Sequence, residues 1–165
     1  MSGHNRGKIK TRYYYLIALA VVVLDQLSKH LITSRMMFES SVPVIWNVFH
    51  ITLVRNSGGA FGLFQSWAGL LTLITAAAII VIVVLIRRRV QLPVMIGIAL
   101  ALQLGGAVGN LIDRIRFHYV VDFIDFRVWP VFNLADSAIT AGILLLAWYV
   151  IFHERRNADP AIEEK

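Results

Sequence analysis

The sequence predicts a membrane all-α protein: a bundle of four transmembrane helices under a small extracytoplasmic β-cap. Three observations lead there. The 165 residues are 58% hydrophobic and 16% charged, with a mean hydropathy of +0.68, too apolar for an ordinary soluble domain. Four runs reach the roughly 20 apolar residues needed to cross hydrocarbon about 30 Å thick. Basic residues gather where those runs begin and end, as membrane insertion requires. One integral membrane domain, residues 1–165, accommodates all of this.

In chain order, Arg6, Lys8, Lys10 and Arg12 lead into a first span at about 13–32. This start imitates a secretory signal, but no small-residue cleavage site follows, and Asp25-Gln26-Leu27-Ser28-Lys29 comes instead. The segment therefore reads as a retained helix. In the next connection, residues 44–55 are rich in β-branched and aromatic side chains and end at Asn56-Ser57-Gly58-Gly59, a turn signal. That predicts a short sheet at the membrane surface. The second and third spans, about 66–86 and 90–112, are separated by Arg87, Arg88 and Arg89. Within the third, Gly105-Gly106-Ala107-Val108-Gly109-Asn110 has the Gly-x-x-x-Gly spacing that lets a neighbouring helix come close. Tyr119 to Val131 is again β-rich and amphipathic, completing the cap. The run Val131 to Phe152, broken only by Asp136, gives a fourth span at 133–152, and residues 155–165 read as a polar, mobile tail.

Ten of the sixteen basic residues fall before the first span, between the second and third, or after the fourth. By the positive-inside rule both termini are cytoplasmic and the 33–65 and 113–130 connections lie outside. Topology thus accounts for the net charge of +6, and nucleic acid is not an expected partner. The absence of cysteine excludes disulfide scaffolds, thiolate zinc sites, iron–sulfur clusters and a cysteine nucleophile. No His-Glu-x-x-His helix, Gly-x-Ser-x-Gly elbow or phosphate-cradling glycine loop is present. Ser28 and Lys29 are adjacent rather than on one helical face, and His30, His50 and His118 have no nucleophile at recognisable spacing.

Acidic residues in or beside spans are costly and mark either function or pairing. Asp25 precedes Lys29 by four residues, the spacing of a helical ion pair. Asp113, followed by Arg114, suits a structural pair. Asp122, in Val120-Val121-Asp122-Phe123-Ile124, is a single carboxylate in apolar surroundings, where desolvation raises its pKa. Asp125, with Arg127 nearby, reads as solvated or paired. Asp136 shares a helical face with Asn133; a plain structural alternative is that Asn133 caps the fourth helix and Asp136 complements its dipole.

The thirteen residues between Asp122 and Asp136 include Pro130 and are enough to turn the chain back, bringing both carboxylates to the outer end of the bundle. Two such groups within hydrogen-bonding reach share one proton, the requirement for water-mediated amide hydrolysis. A reading from another class is a small proton-coupled membrane transporter or assembly subunit. Relay acids would be distributed across the membrane depth, whereas Asp25, Asp113, Asp122 and Asp136 all gather at the outer end.

Five ordered motifs carry a resemblance: Asp25-Gln26-Leu27-Ser28-Lys29, Arg55-Asn56-Ser57-Gly58-Gly59-Ala60-Phe61, Gly105 to Arg114, Val120-Val121-Asp122-Phe123, and Phe132-Asn133-Leu134-Ala135-Asp136-Ser137. In order and spacing they resemble bacterial lipoprotein signal peptidase (signal peptidase II), over roughly residues 13–152. The resemblance implies a four-helix aspartyl endopeptidase of the bacterial inner (cytoplasmic) membrane, with an outer β-cradle and a small periplasmic helix. Its substrate would be a prolipoprotein, cut immediately before the diacylglyceryl-modified cysteine. The implied dyad falls on Asp122 and Asp136, the polar pocket on Asn56, Asn110, Arg114 and Asn133, and a supporting acid on Asp25. Asp113 also matches a family motif and stands as the alternative first aspartate. Gly59 departs from the alanine common there. No metal or organic cofactor is implied; membrane lipid is an expected partner, and a monomer the expected state. The 44–64 loop, with Phe61 and Trp67, is positioned to act as a lid.

Overall fold

The structure, a computed structural model, describes residues 11–58, 68–88 and 92–158, apart from the side chains of Ala68 and of residues from 153 onward. Seven elements follow in order: α1 (Thr11–Thr33), β1 (Ser41–Ile45), β2 (Phe49–Asn56), α2 (Ala68–Arg87), α3 (Val94–Phe117), β3 (Val120–Asp125) and α4 (Leu134–Ala158). All four helices are long and apolar enough to span a membrane. The expected lid residues Phe61 and Trp67, and the Gly59 departure, lie outside the described residues.

Helix α3 is the hub. Its small residues, including Ala99, Ala101, Gly105, Gly106 and Ala107, are buried because α1 and α4 pack closely against it. Gly105 shows how close: a Cβ there would lie 2.6 Å from the Ala18 carbonyl oxygen of α1. The Gly-x-x-x-Gly segment thus serves as the sequence implies. Around the hub, Tyr14, Ala18, Ile82, Ile86, Leu100 and Leu104 form the apolar core. The outward faces stay apolar, with Leu16, Leu19, Val23 and Leu27 on α1 and Leu73, Ile80 and Val81 on α2 exposed, as lipid-facing surfaces are.

The helix limits differ from the hydropathy limits for a physical reason. The third span was expected to stop at residue 112, before Asp113, but α3 continues to Phe117. Arginine is a good helix former, and cations are favoured in a last turn. The helix ends where His118 adopts a left-handed conformation (φ 63°) and its N–H bonds the Arg114 carbonyl oxygen at 3.0 Å. Likewise α4 runs through Arg155 and Arg156 to Ala158, into what composition marks as tail.

The cap is a three-stranded antiparallel sheet in the order β1-β2-β3. The β-rich stretch 44–55 does not run as one strand. It turns at Trp46-Asn47-Val48, where Asn47 takes a left-handed conformation (φ 58°) tolerated by its short polar side chain. Beyond β3 the chain reverses at residues 126–131 and Phe132 bridges back to Ile124, delivering the start of α4 beside β3. Val42, Val44, Trp46, Val48, Val128 and Trp129 point outward from this cap and are exposed.

Candidate active site

Five of the six residues proposed from sequence for the pocket and dyad meet in one hydrogen-bonded cluster where β2, β3, α3 and α4 converge. Strand pairing sets Asp122 opposite Val54, so Asn56, two residues on and on the same face, reaches it diagonally. The Asn56 amide donates to Asp122 Oδ2 at 2.8 Å, while its own oxygen accepts the Gly58 N–H at 3.2 Å and fixes the turn. From the other side, Asn133 Nδ2 donates to Asp122 Oδ1 at 2.6 Å. Asp122 and Asn133 are both fully buried.

Asn133 is also the cap of α4. Its Oδ1 accepts the Asp136 N–H at 2.9 Å, and the Asp136 carboxylate accepts the Asn133 N–H at 3.4 Å, a reciprocal box that satisfies the helix start. The capping alternative is therefore what the geometry shows, and it coexists with the contact to Asp122. From α3, Asn110 Nδ2 donates to Asp136 Oδ1 at 2.7 Å, and Asn110 Oδ1 accepts from Asn133 Nδ2 at 3.1 Å. Two carboxylates are thus joined through two asparagines.

Arg114 stands apart: its hydrogen bond among the described residues goes to Thr75 of α2 at 3.4 Å. Its guanidinium nonetheless lies within electrostatic range of Asp136, Asp122 and Asp113. It does not pair with Asp113, as their adjacency suggested. Asp113 instead bonds Lys29 at 2.9 Å, Gln26 at 2.9 Å and the Val121 N–H at 3.1 Å, which leaves it buried and fully engaged.

Asp25 and Lys29 form the expected ion pair at 2.9 Å. Two further contacts had no local signal in the sequence. Asp25 Oδ1 accepts the Ala135 N–H at 3.0 Å, tying α1 to the first turn of α4, and Lys29 Nζ donates to Asn110 Oδ1 at 3.1 Å. Gly109 makes room for this, since a Cβ there would sit 2.6 Å from Asp25 Oδ2. At the far end of the cap Asp125 is buried and paired rather than solvated, with Thr52 Oγ1 at 2.7 Å and Arg127 Nη1 at 3.1 Å.

Burial, reinforced by the negative charge of Asp136, pushes the Asp122 carboxyl up to about 7, against the hydrogen bonds from Asn56 and Asn133 and the charge of Lys29. Asp125 goes the other way: burial raises it, but the bonds from Thr52 and Arg127 outweigh that and hold it below its ordinary value. Beside Asp136 lies a cavity of about 540 Å³, walled by Phe126, Trp129, Phe132, Ala141 and Leu144, between the cap and α4. The arrangement sets the Asp136 carboxylate at the edge of an apolar trough, with Asp122 buried behind it and linked to it through Asn133 and Asn110.

Comparison with known proteins places the chain in company. The family described as signal peptidase (SPase) II matches residues 17–152. The lipoprotein signal peptidase of Moorella thermoacetica is 46% identical over 138 residues, covering 84% of this chain and 92% of that protein. That of Halothermothrix orenii is 43% identical over 141 residues, covering 86% and 97%. Among solved structures, a bacterial membrane enzyme determined by the in meso method superposes with a TM-score of 0.81 at 31% identity, covering 96% of this chain and 95% of that one.

Proposed function

The chain belongs to the signal peptidase II family of lipoprotein signal peptidases, and from that premise we propose that it is an aspartic endopeptidase whose dyad is Asp122 and Asp136. It cuts a prolipoprotein immediately before the diacylglyceryl-modified cysteine. The observation that carries the reading is the continuous hydrogen-bonded path from Asp122 through Asn133 and Asn110 to Asp136, beside an apolar trough.

Asp122, raised to about 7, holds the shared proton, and Asp136 is the ionised member. The Asp136 carboxylate takes a proton from water as its oxygen attacks the scissile carbonyl carbon; the Asp122 proton passes to the carbonyl oxygen. The tetrahedral gem-diol then collapses: the C–N bond breaks as the proton held on Asp136 passes to the leaving nitrogen, and one hydroxyl returns its proton to Asp122 as the carbonyl re-forms. Asn56, Asn110 and Asn133 hold the carboxylates and the peptide, and Arg114 supplies positive potential to the bound substrate. No step calls for a metal or an organic cofactor. The domain, taken as residues 1–165, acts as a monomer in the bacterial inner (cytoplasmic) membrane, both termini cytoplasmic and the site at the extracytoplasmic face, where the lipid-anchored substrate arrives laterally. Acids clustered at one end of the bundle support this over a proton-relaying transporter.

The test is cleavage of a diacylglyceryl-modified prolipoprotein peptide by purified protein. Asp122→Asn and Asp136→Asn each lose at least about 100-fold in kcat/KM, Asp113→Asn retains cleavage, and wild type is unaffected by chelator. Activity kept in Asp122→Asn and lost in Asp113→Asn would transfer the first role to Asp113.

A further inference from the structure

Lys29 is a buried lysine one residue removed from the dyad. Its ammonium has three hydrogens, and three acceptors stand within reach: Asp25 Oδ2 at 2.9 Å, Asp113 Oδ2 at 2.9 Å and Asn110 Oδ1 at 3.1 Å. An ammonium only donates, so the amide atom facing it must be the oxygen of Asn110. That leaves the Asn110 NH2 turned to Asp136 Oδ1, at 2.7 Å. Asn133 Nδ2 donates to the same Asn110 oxygen at 3.1 Å, so Lys29 and Asn133 together hold the amide with its NH2 on the Asp136 carboxylate.

We infer that Lys29 is a positioning residue for the cleavage reaction, acting through Asn110 to present a hydrogen-bond donor to Asp136 and keep that carboxylate ionised. Ion pairing with Asp25 is the expected structural role of this lysine; the contact with Asn110 gives it a second one. The inference rests on the dyad reading above.

The sign of the effect follows from the surrounding charges. Around the two aspartates stand Asp25 and Lys29 from α1 and Asp113 and Arg114 from α3, while β2 and α2 present the neutral Asn56 and Thr75. With both carboxylates ionised, the Asp25–Lys29–Asp113 cluster carries net charge −1. Removing the lysine makes the cluster more negative and takes one of the two donors from the Asn110 oxygen, so the ionised state of Asp136 becomes harder to hold. Removing the Asp113 charge makes the cluster less negative and leaves the lysine bonded to Asn110. The two changes should therefore push the pH profile in opposite directions.

The experiment measures kcat/KM against pH on the lipidated peptide for wild type, Lys29→Met, Lys29→Arg and Asp113→Asn, normalised to folded enzyme by thermal unfolding. Lys29→Met moves the acid limb to higher pH, cutting activity at pH 5 on the order of tenfold relative to its own plateau. Asp113→Asn moves the limb to lower pH, and Lys29→Arg, which keeps the charge, restores part of the wild-type profile. Asp113→Asn strands no charge, so it carries the sign test even where Lys29→Met yields little folded protein. Gln26→Met is the stability control: it loses bonds to Asp113 and the Gly109 carbonyl, and lowers the melting temperature without moving the limb. Acid limbs that coincide with wild type in both charge variants, or that move the same way, overturn the inference and leave the dyad intact. Cleavage retained by Asp122→Asn or Asp136→Asn is a different failure, that of the dyad itself.

Discussion

Asn133 faces two ways, and much of the site follows from that. A residue with one carbonyl and one NH2 can cap a helix with the first and hold a carboxylate with the second, so the start of α4 and the orientation of Asp122 are one arrangement. Asp122 itself carries a cost. Its folded-state pKa, about 7, lies above the ordinary carboxylate value of 3.8, so the folded state binds a proton the unfolded state releases between those values. Stability from this group is fully present below the lower value and is lost as pH rises through the higher one, by roughly 4 kcal/mol at most. Thermal unfolding in detergent between pH 4 and pH 8 should show wild type weakening with pH and Asp122→Asn following a flatter slope; identical slopes would contradict the buried protonated carboxyl. The sequence told of this residue because a lone aspartate among Val, Phe and Ile announces desolvation. It could not tell that Asn56 and Asn133 would grip both oxygens, since those contacts depend on sheet register and on the reversal before α4.

Elements meet here through small residues and short caps. The four helices were legible because each is a long apolar run with few charges, and their ends were blurred because charge stops hydropathy before it stops a helix, as Asp113, Arg114 and Arg116 do in α3. The hairpin between β1 and β2 was hidden for the opposite reason: its turn sits at Trp46-Asn47-Val48, inside a β-favouring run, on a single residue in a left-handed conformation. Helix contacts were foreshadowed by Gly-x-x-x-Gly, but not that Gly109 admits a carboxylate rather than a backbone. Gly109→Ala drives a Cβ into Asp25 Oδ2 and should cost about 1–3 kcal/mol, read as a fall in melting temperature with loss of activity. Gly69→Ala, with nothing within 4 Å of the added carbon, should be neutral or stabilise α2 by about 0.5–1 kcal/mol. Equal effects at the two positions would deny Gly109 its packing role.

Over the whole molecule, charge asymmetry is the basis of the proposed orientation, and the buried network sets the fold of the capped end of the bundle. Because the chain has no cysteine, orientation is open to a direct check by introducing one. Val128→Cys, at a position 91% exposed in the cap, should be labelled by a membrane-impermeant thiol reagent in intact spheroplasts, and Arg88→Cys only after lysis. The reverse pattern would invert the topology and place the site inside. Fold class was legible at this scale because hydropathy is a property of long stretches. The Lys29–Asp113 and Asp25–Ala135 contacts were not, because they join helices far apart in the chain. That last bond has a consequence in time. A ribosome adding about 5–20 residues per second delivers α1 several seconds before Ala135 emerges to meet it, and until then Asp25 lacks its α4 partner, Asn110 has no Asp136 and Asp122 no Asn133. With the dyad proposed above, the site stays incomplete until the start of α4 has been made, so the nascent chain is inactive until synthesis reaches the final span.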